Sequence, residues 1–325
     1  MAYSRRRILQ AGSAAMALAA SGPLRAAPGP ELARILVGFP PGTTTDVVAR
    51  KIGDRLVNDY APAVVVESRL GAGGQLAVVA VKAAAPDGAS ILVTPMSMLG
   101  VYPFTYRKLP YDPAADLAPV SMAATLDCCI AVGPAVPEQV RTVNDLMAWY
   151  KAHPDRASMG SPATGSTLHF AAISLGRAAG VEITHIGYKG SGAAITDMIG
   201  GNLPALCSPL GTFLNQPRLR LLATTGSERS RFTPKVPTLV EQGFKNMVFQ
   251  EWYGVYLPAG APAFAVQKLH AAVHRALASK EVEESFASFG MEVSPSTPAQ
   301  LTEALRDAQK KWEPIVKSIG FSADS

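Results

Sequence analysis

Three short segments of this 325-residue chain bring together groups suited to holding an anion. Residues 39–46 read FPPGTTTD, where an apolar run gives way to a helical pattern. A helix N-terminus offers unpaired N–H groups and a partial positive charge, which suit a carboxylate or phosphate. Gly42, Thr43, Thr44 and Thr45 supply amides and hydroxyls there, although a threonine at such a place also serves simply as a helix cap. Asp46 and Arg50 stand at i,i+4 with the acid first, the order that favours pairing along a helix. That pairing makes Asp46 a wall residue rather than a catalytic acid. Residues 160–166, GSPATGS, repeat the arrangement with Ser161, Thr164, Gly165 and Ser166. His169 follows one turn inside the next helix, either as a ligand contact or as a hydrogen-bonded structural histidine. Residues 188–192, YKGSG, form a third junction with Tyr188 and Gly190. Lys189 there either adds charge to a site or is merely solvated.

Other patterns carry less chemistry. Gly71-x-Gly73-x-x-Leu76 mimics a dinucleotide fingerprint but lacks the third glycine, and reads better as a tight helix-opening turn. There is no G-x-x-x-x-G-K-[ST], H-E-x-x-H or G-x-S-x-G motif. His270 and His274 have metal-compatible spacing but no evident third ligand, and are expected on the exposed face of their helix. Cys128, Cys129 and Cys207 form no C-x-x-C and read as small buried hydrophobes. No nucleophile–base–acid set emerges. The expectation is a binding protein without catalytic residues, metal or cofactor.

The elements that must position these loops alternate. Strands are expected at 34–39, 63–67 and 90–94, separated by helices beginning at Asp46 and at the glycines of 71–74. A pause over 102–118 follows. A second block has strands at 125–132, 157–160, 182–188, 204–207 and 219–224, with helices at 143–152, 167–179 and 193–199. Two helices close the chain, at 264–279 and from Thr297, where Thr297 and Gln300 make a capping box with Pro298 at the first helical position. The last helix is expected to bend at Pro314. Strands alternating with helices indicate βαβ units. Two α/β blocks with a helical return suit a ligand held between two lobes.

The N-terminus reads as an address. Arg5, Arg6 and Arg7 precede a short apolar run ending near Leu24, with small residues at Ala26 and Ala27. This describes a secretory signal peptide over 1–27, and the paired arginines resemble a twin-arginine signal. The run is too short to span a membrane, which takes about 20 apolar residues. The formal charge of +5 changes meaning with its removal. Four arginines and no acid lie in 1–27, so the remainder carries 26 basic and 25 acidic groups. A nucleic-acid partner is therefore not expected.

Taken in order, the motifs resemble a known family. They run Gly38-Phe39-Pro40-Pro41-Gly42-x-Thr44-Thr45-Asp46-x-x-Ala49-Arg50, then Val65-Val66-Glu67-x-Arg69-x-Gly71-Ala72-Gly73-Gly74, then Pro86-Asp87-Gly88 and Leu109-Pro110-Tyr111-Asp112. They continue with Gly160-Ser161, Gly165-Ser166, Tyr188-Lys189-Gly190, Gly200-Gly201, Arg229, Pro237-Thr238-Leu239-x-Glu241-x-Gly243, Trp252-Tyr253-Gly254 and Pro258-Ala259-Gly260-x-Pro262. Nearly the whole chain after the leader resembles the Bug-type substrate-binding proteins of tripartite tricarboxylate transporters.

The resemblance implies an α/β, two-lobed periplasmic-binding-protein-like fold (type II), each lobe a mainly parallel sheet flanked by helices. It implies lobe I over 28–124 plus 250–325, lobe II over 125–249, and a hinge near Thr125 and 250–253. It implies a periplasmic monomer that closes on a small carboxylated solute and passes it to large and small membrane transporter subunits. The ligand contacts carry over to Gly42, Thr43, Thr44, Thr45 and Asp46, and to Ser161, Thr164, Gly165, Ser166 and Tyr188; His169 and Gly190 join the expected ligand-binding set from their places at the same junctions. The chain departs from the pattern at Thr43, where the family has a glycine, and at Pro204 and Ser208, where it has acids. If either position faces the cleft, loss of the acid disfavours a ligand with an ammonium group. Two other functions stay open on the residues alone. One is an exported enzyme on an anionic substrate using His169 or Lys189. The other is a sensor for a membrane signalling partner.

Overall fold

The computed structural model describes residues 29–323. The proposed leader lies outside the described residues. The first unit is β1 (Leu32–Val37), α1 (Thr44–Leu56), β2 (Ala63–Ser68), α2 (Gln75–Lys82), β3 (Ser90–Pro95), α3 (Ser97–Gly100) and α4 (Tyr102–Thr105). The second opens on the long β4 (Leu117–Val132). It adds α5 (Val143–Ala152), β5 (Ser158–Ser161), α6 (Thr167–Ala179), β6 (Thr184–Gly187), α7 (Ser191–Ile199), β7 (Ala205–Pro209) and β8 (Arg220–Thr224). The return segment is β9 (Gln250–Pro258), α8 (Ala263–Leu277), α9 (Lys280–Ser288), β10 (Met291–Val293) and α10 (Pro298–Ile319).

The strands follow the order β2-β1-β3-β9-β4-β7-β5-β6, with β10 and β8 also paired to β4. The parallel ladders expected from sequence are present: β1 pairs β2 and β3, and β5 pairs β6 and β7. The strands that join the lobes run antiparallel to them. β9 pairs β3 and β4, and β4 pairs β7 and β8. Each lobe therefore has a mixed sheet rather than a mainly parallel one. Strand β4 serves both lobes: Leu117 to Asp127 lie against β9, and Cys128 to Val132 lie against β7. Sequence reading found only its second half. Pro119 and two register shifts interrupt the first half, and they hide its periodicity.

Helix α1 buries Val48, Ala49, Ile52 and Leu56 on one face of the sheet, the stripe expected of an amphipathic helix. The opposite face is covered by α2 and α10, with Val78, Val81, Leu301, Leu305 and Trp312 in one apolar cluster. Each such side chain contributes about 1.5–3 kcal/mol on burial. Helix α10 begins with the expected capping box and carries Pro314 inside it. It also touches the second unit. Arg177 of α6 donates to the carbonyls of Ser318 (2.9 Å) and Ile319 (3.1 Å).

Candidate ligand-binding site

The chain turns from β1 to α1 through Gly42 and Thr43. Thr43 is the N-cap, but its hydroxyl makes no cap bond to the helix. It donates instead to the Pro40 carbonyl at 2.8 Å. The plain capping role is thus vacant, and the amides of Thr44 and Thr45 in the first turn have no helical acceptor. Asp46 accepts from the Gly42 amide (2.9 Å) and from Arg50 Nε (3.0 Å). The expected Asp46–Arg50 pair is formed, and it ties down the loop that carries the threonines. Thr43 sits at φ −74°, an ordinary extended value, so its Cβ costs no strain.

Two more helix starts face this one. Ser166 caps α6, accepting from the His169 amide and donating to the Ala163 carbonyl at 2.7 Å. Gly190 precedes α7 at φ +92°, a left-handed value that favours glycine. A Cβ on Gly190 would lie 3.2 Å from Pro40 Cδ, across the cleft. The lobes also touch where Tyr106 donates to the Thr164 carbonyl and Thr105 to that of Gly165, each at 3.2 Å. These contacts bring the three loops face to face.

Between them lies a pocket of about 450 Å³, its open mouth included. Of the residues singled out from sequence, Thr43, Thr44, Thr45, Ser166 and Gly190 line it. Among its described lining residues none is a lysine or arginine. Phe39, Pro95, Pro162, Leu168 and Pro209 give it apolar walls. Oriented amides and hydroxyls of this kind suit an anion without a counter-charge.

The other expected contacts lie elsewhere. Gly42 opens on an adjoining recess beside Lys189, which is exposed. Tyr188 and Thr164 line a neighbouring groove on the 70–74 turn. The Tyr188 hydroxyl donates to Asp197 at 2.8 Å, and burial pushes its pKa up to about 12. Ser161 is buried and bonds the Ala163 carbonyl and His185. Gly165 donates to His169 Nδ1 at 3.1 Å. His169 is turned away from the pocket and stacks on His185, with ring centroids 3.6 Å apart. Burial lowers its pKa to about 4, so it is a neutral acceptor for a backbone amide. Asp46, as noted, braces the loop from behind.

Three expectations outside the site have clear outcomes. The turn at 71–74 is a 3-10 turn with Gly71, Gly73 and Gly74 all at positive φ, as a tight helix-opening turn requires. The three cysteines are buried and unpaired. His270 and His274 are half-buried rather than exposed, a correction to the sequence reading. Both rings turn to the Ser296 carbonyl, at 3.2 and 3.1 Å, because the β10–α10 link folds back over that face of α8. Among the described residues no group of three potential metal-ligating side chains is assembled.

Sequence reasoning missed the return strand's contribution. Glu251 and Tyr253, two apart on β9, project from one face into the pocket. The Tyr253 hydroxyl bonds that of Thr44. Glu251 is 3% exposed; one of its oxygens accepts from the Ser97 amide at 2.9 Å and its hydroxyl at 3.3 Å. The other accepts from the Thr167 hydroxyl. Burial outweighs these bonds and raises the Glu251 pKa to about 7. The only available signal was Glu251 beside the Trp252-Tyr253-Gly254 motif, with nothing to show which way it pointed. The departure at Ser208 also reaches the site indirectly, since its hydroxyl bonds that of the lining residue Ser191 at 2.9 Å.

Residues 48–321 match the model of the family described as the tripartite tricarboxylate transporter family receptor. Protein BugT of Bordetella pertussis is 33% identical over 291 residues, covering 88% of this chain and 89% of that protein. The solved structure of R. palustris Rpa4515 with adipate has a TM-score of 0.85 at 28% identity, covering 91% of this chain and 99% of that one. MatC of Rhodopseudomonas palustris with bound malate has a TM-score of 0.81 at 26% identity, covering 88% and 98%. The chain, whose pocket is lined by helix starts, belongs to the tripartite tricarboxylate transporter receptor family, the Bug-type substrate-binding proteins.

Proposed function

We propose that this receptor works in the periplasm, captures a small carboxylate between its lobes and delivers it to the membrane components of a tripartite transporter. The observation that carries the reading is the pocket itself. Helix starts from both lobes point into it and hydroxyls line it, while no lysine or arginine does among the described residues. The anion is held by the first turns of α1 and α6, with Ser191 of α7 alongside. The relatives solved with adipate and malate make dicarboxylates the first candidates. Ser208, neutral where the family has an acid, bonds the lining Ser191 and brings no charge toward the pocket to meet an amine.

Lobe I comprises 28–124 plus 250–325 and lobe II 125–249, with the hinge where β4 and β9 cross between the sheets. Asp127 pairs Gln250 at that crossing, and it is there that β4 changes partners. The ligand favours closure only as far as it binds the closed form better. The receptor acts as a monomer, and 1–27 directs export by the twin-arginine route. An enzymatic role loses its candidate residues, because His169 is neutral and turned from the pocket while Lys189 lies outside it.

A thermal-shift screen with adipate, malate, benzoate and an amino acid series tests the proposal. Ligand at 100 times its dissociation constant adds about 2.7 kcal/mol of stability. A stabilising carboxylate supports the reading. No response to any carboxylate refutes it, and tight binding of an amino acid alone refutes the exclusion of amines.

A further inference from the structure

The pocket of a carboxylate receptor contains a carboxyl group of its own. Glu251 is buried, and its hydrogen bonds come from neutral donors: the Ser97 amide, the Ser97 hydroxyl and the Thr167 hydroxyl, with the Met96 backbone alongside. Among the described residues no lysine or arginine lines the pocket. The titratable groups around it offer no compensation. Tyr253 on its own strand, Tyr102 on α4 and Cys128 on β4 all have their pKa values raised by burial, so they stay neutral. Asp46, behind the opposite wall, is already matched by Arg50. Two carboxylates enclosed in one such site cannot both ionise at neutral pH without a large cost.

We propose that Glu251 takes up a proton from solution when the carboxylate binds, and that the protonated side chain is a specificity-determining donor of the site. The proposal rests on the carboxylate-receptor reading above. The balance is simple: one proton moves from bulk water to a Glu251 oxygen, and no bond of the solute is made or broken. The Ser97 amide continues to donate to Oε1. On the other oxygen the new O–H turns either to the Thr167 hydroxyl, which can accept as well as donate, or to the solute carboxylate. The same group that accepts a dicarboxylate at neutral pH excludes it in alkali. A Glu251 pKa already near 7 before the second charge arrives makes the uptake feasible at ordinary pH.

The test is isothermal titration of the mature protein with adipate and malate between pH 7 and 9, in phosphate, HEPES and Tris. Buffers of different ionisation enthalpy report the protons taken up. The expected result is close to one proton per solute at pH 8, with affinity falling by nearly tenfold per pH unit above that. Glu251→Gln, which keeps an acceptor for Ser97 and a donor for Thr167, is expected to bind with little proton uptake and little pH dependence. At pH 8 it should bind about tenfold tighter than the wild type. The wild-type buffer series stands even if that variant fails to fold. Binding without proton uptake overturns the inference alone. No binding by either probe or any carboxylate of the screen overturns the receptor reading and this inference with it. An amino acid bound without proton uptake, and lost in Glu251→Gln, also overturns it, because Glu251 would then be the charged partner of an ammonium group.

Discussion

Replacing Glu251 by glutamine in the ligand-free protein isolates the cost of one buried charge. The folded-state pKa is about 7 against an ordinary 4.5, and burial is its largest cause. A raised pKa means that the folded state holds the proton more tightly than the unfolded chain. The stability this confers is complete below about pH 4.5 and is lost as pH rises through 7. A difference of this size corresponds to roughly 3 kcal/mol, at 1.36 kcal/mol per unit. The glutamine side chain of the variant has no such penalty and keeps the same hydrogen-bonding shape. The two proteins should therefore differ little in pH dependence below pH 4.5 and diverge above it. By pH 8 the variant should gain up to about 3 kcal/mol relative to its position at pH 4.5. At about 2.1 cal/mol/K of unfolding entropy per residue, 1 kcal/mol moves the melting temperature of a chain of about 300 residues by roughly 1.5–2 °C, so the divergence should reach roughly 5 °C. Thermal unfolding followed by circular dichroism at half-unit steps from pH 4 to 8.5 measures it. Parallel profiles across the whole range would refute the reasoning, because they would mean that Glu251 ionises in the closed pocket at no cost.

Three further outcomes are expected. Gly190→Ala places a Cβ 3.2 Å from Pro40 and forces a side chain into left-handed backbone. It should cost about 1 kcal/mol of stability and weaken carboxylate binding, read by unfolding and titration calorimetry; unchanged affinity would mean that Gly190 and Pro40 do not meet on closure. Ser166→Ala removes the cap of α6 and a pocket hydroxyl together. About 1 kcal/mol of stability and about tenfold in affinity should be lost, and loss of stability alone would make Ser166 merely a cap. His169 and His185 are held neutral, with pKa values lowered by burial to about 4 and about 3. Their contribution is present above the unfolded value near 6.5 and is lost as pH falls through the folded values. Urea unfolding in the Glu251→Gln background, where the opposing slope is absent, should show stability falling from pH 6.5 to 4, and His185→Phe should flatten part of that fall.

The alternation of strands and helices was legible because each element leaves a local trace. Val48, Ile52 and Leu56 recur at helical spacing, Thr297 and Gln300 fix a cap, and the turn glycines sit where positive φ is required. The loops that line the pocket were legible for the same reason, since a helix start is marked by its own residues. The order of motifs along the chain was enough to indicate the family. What only the tertiary structure decided was direction and partnership. Strand β4 is one strand shared by two sheets, a fact held in pairings with β7 and β9 more than 70 residues away. The orientation of His169 depends on His185, which stacks on it, and on Phe321, which meets it edge-on from the far end of the chain. Glu251 became part of the pocket because β9 returns between β3 and β4, placing alternate side chains over the cleft. The sequence alone thus marks groups that bind through their own backbone. Which distant side chains share a pocket with them, and at what electrostatic cost, is set by the long-range closure of the chain.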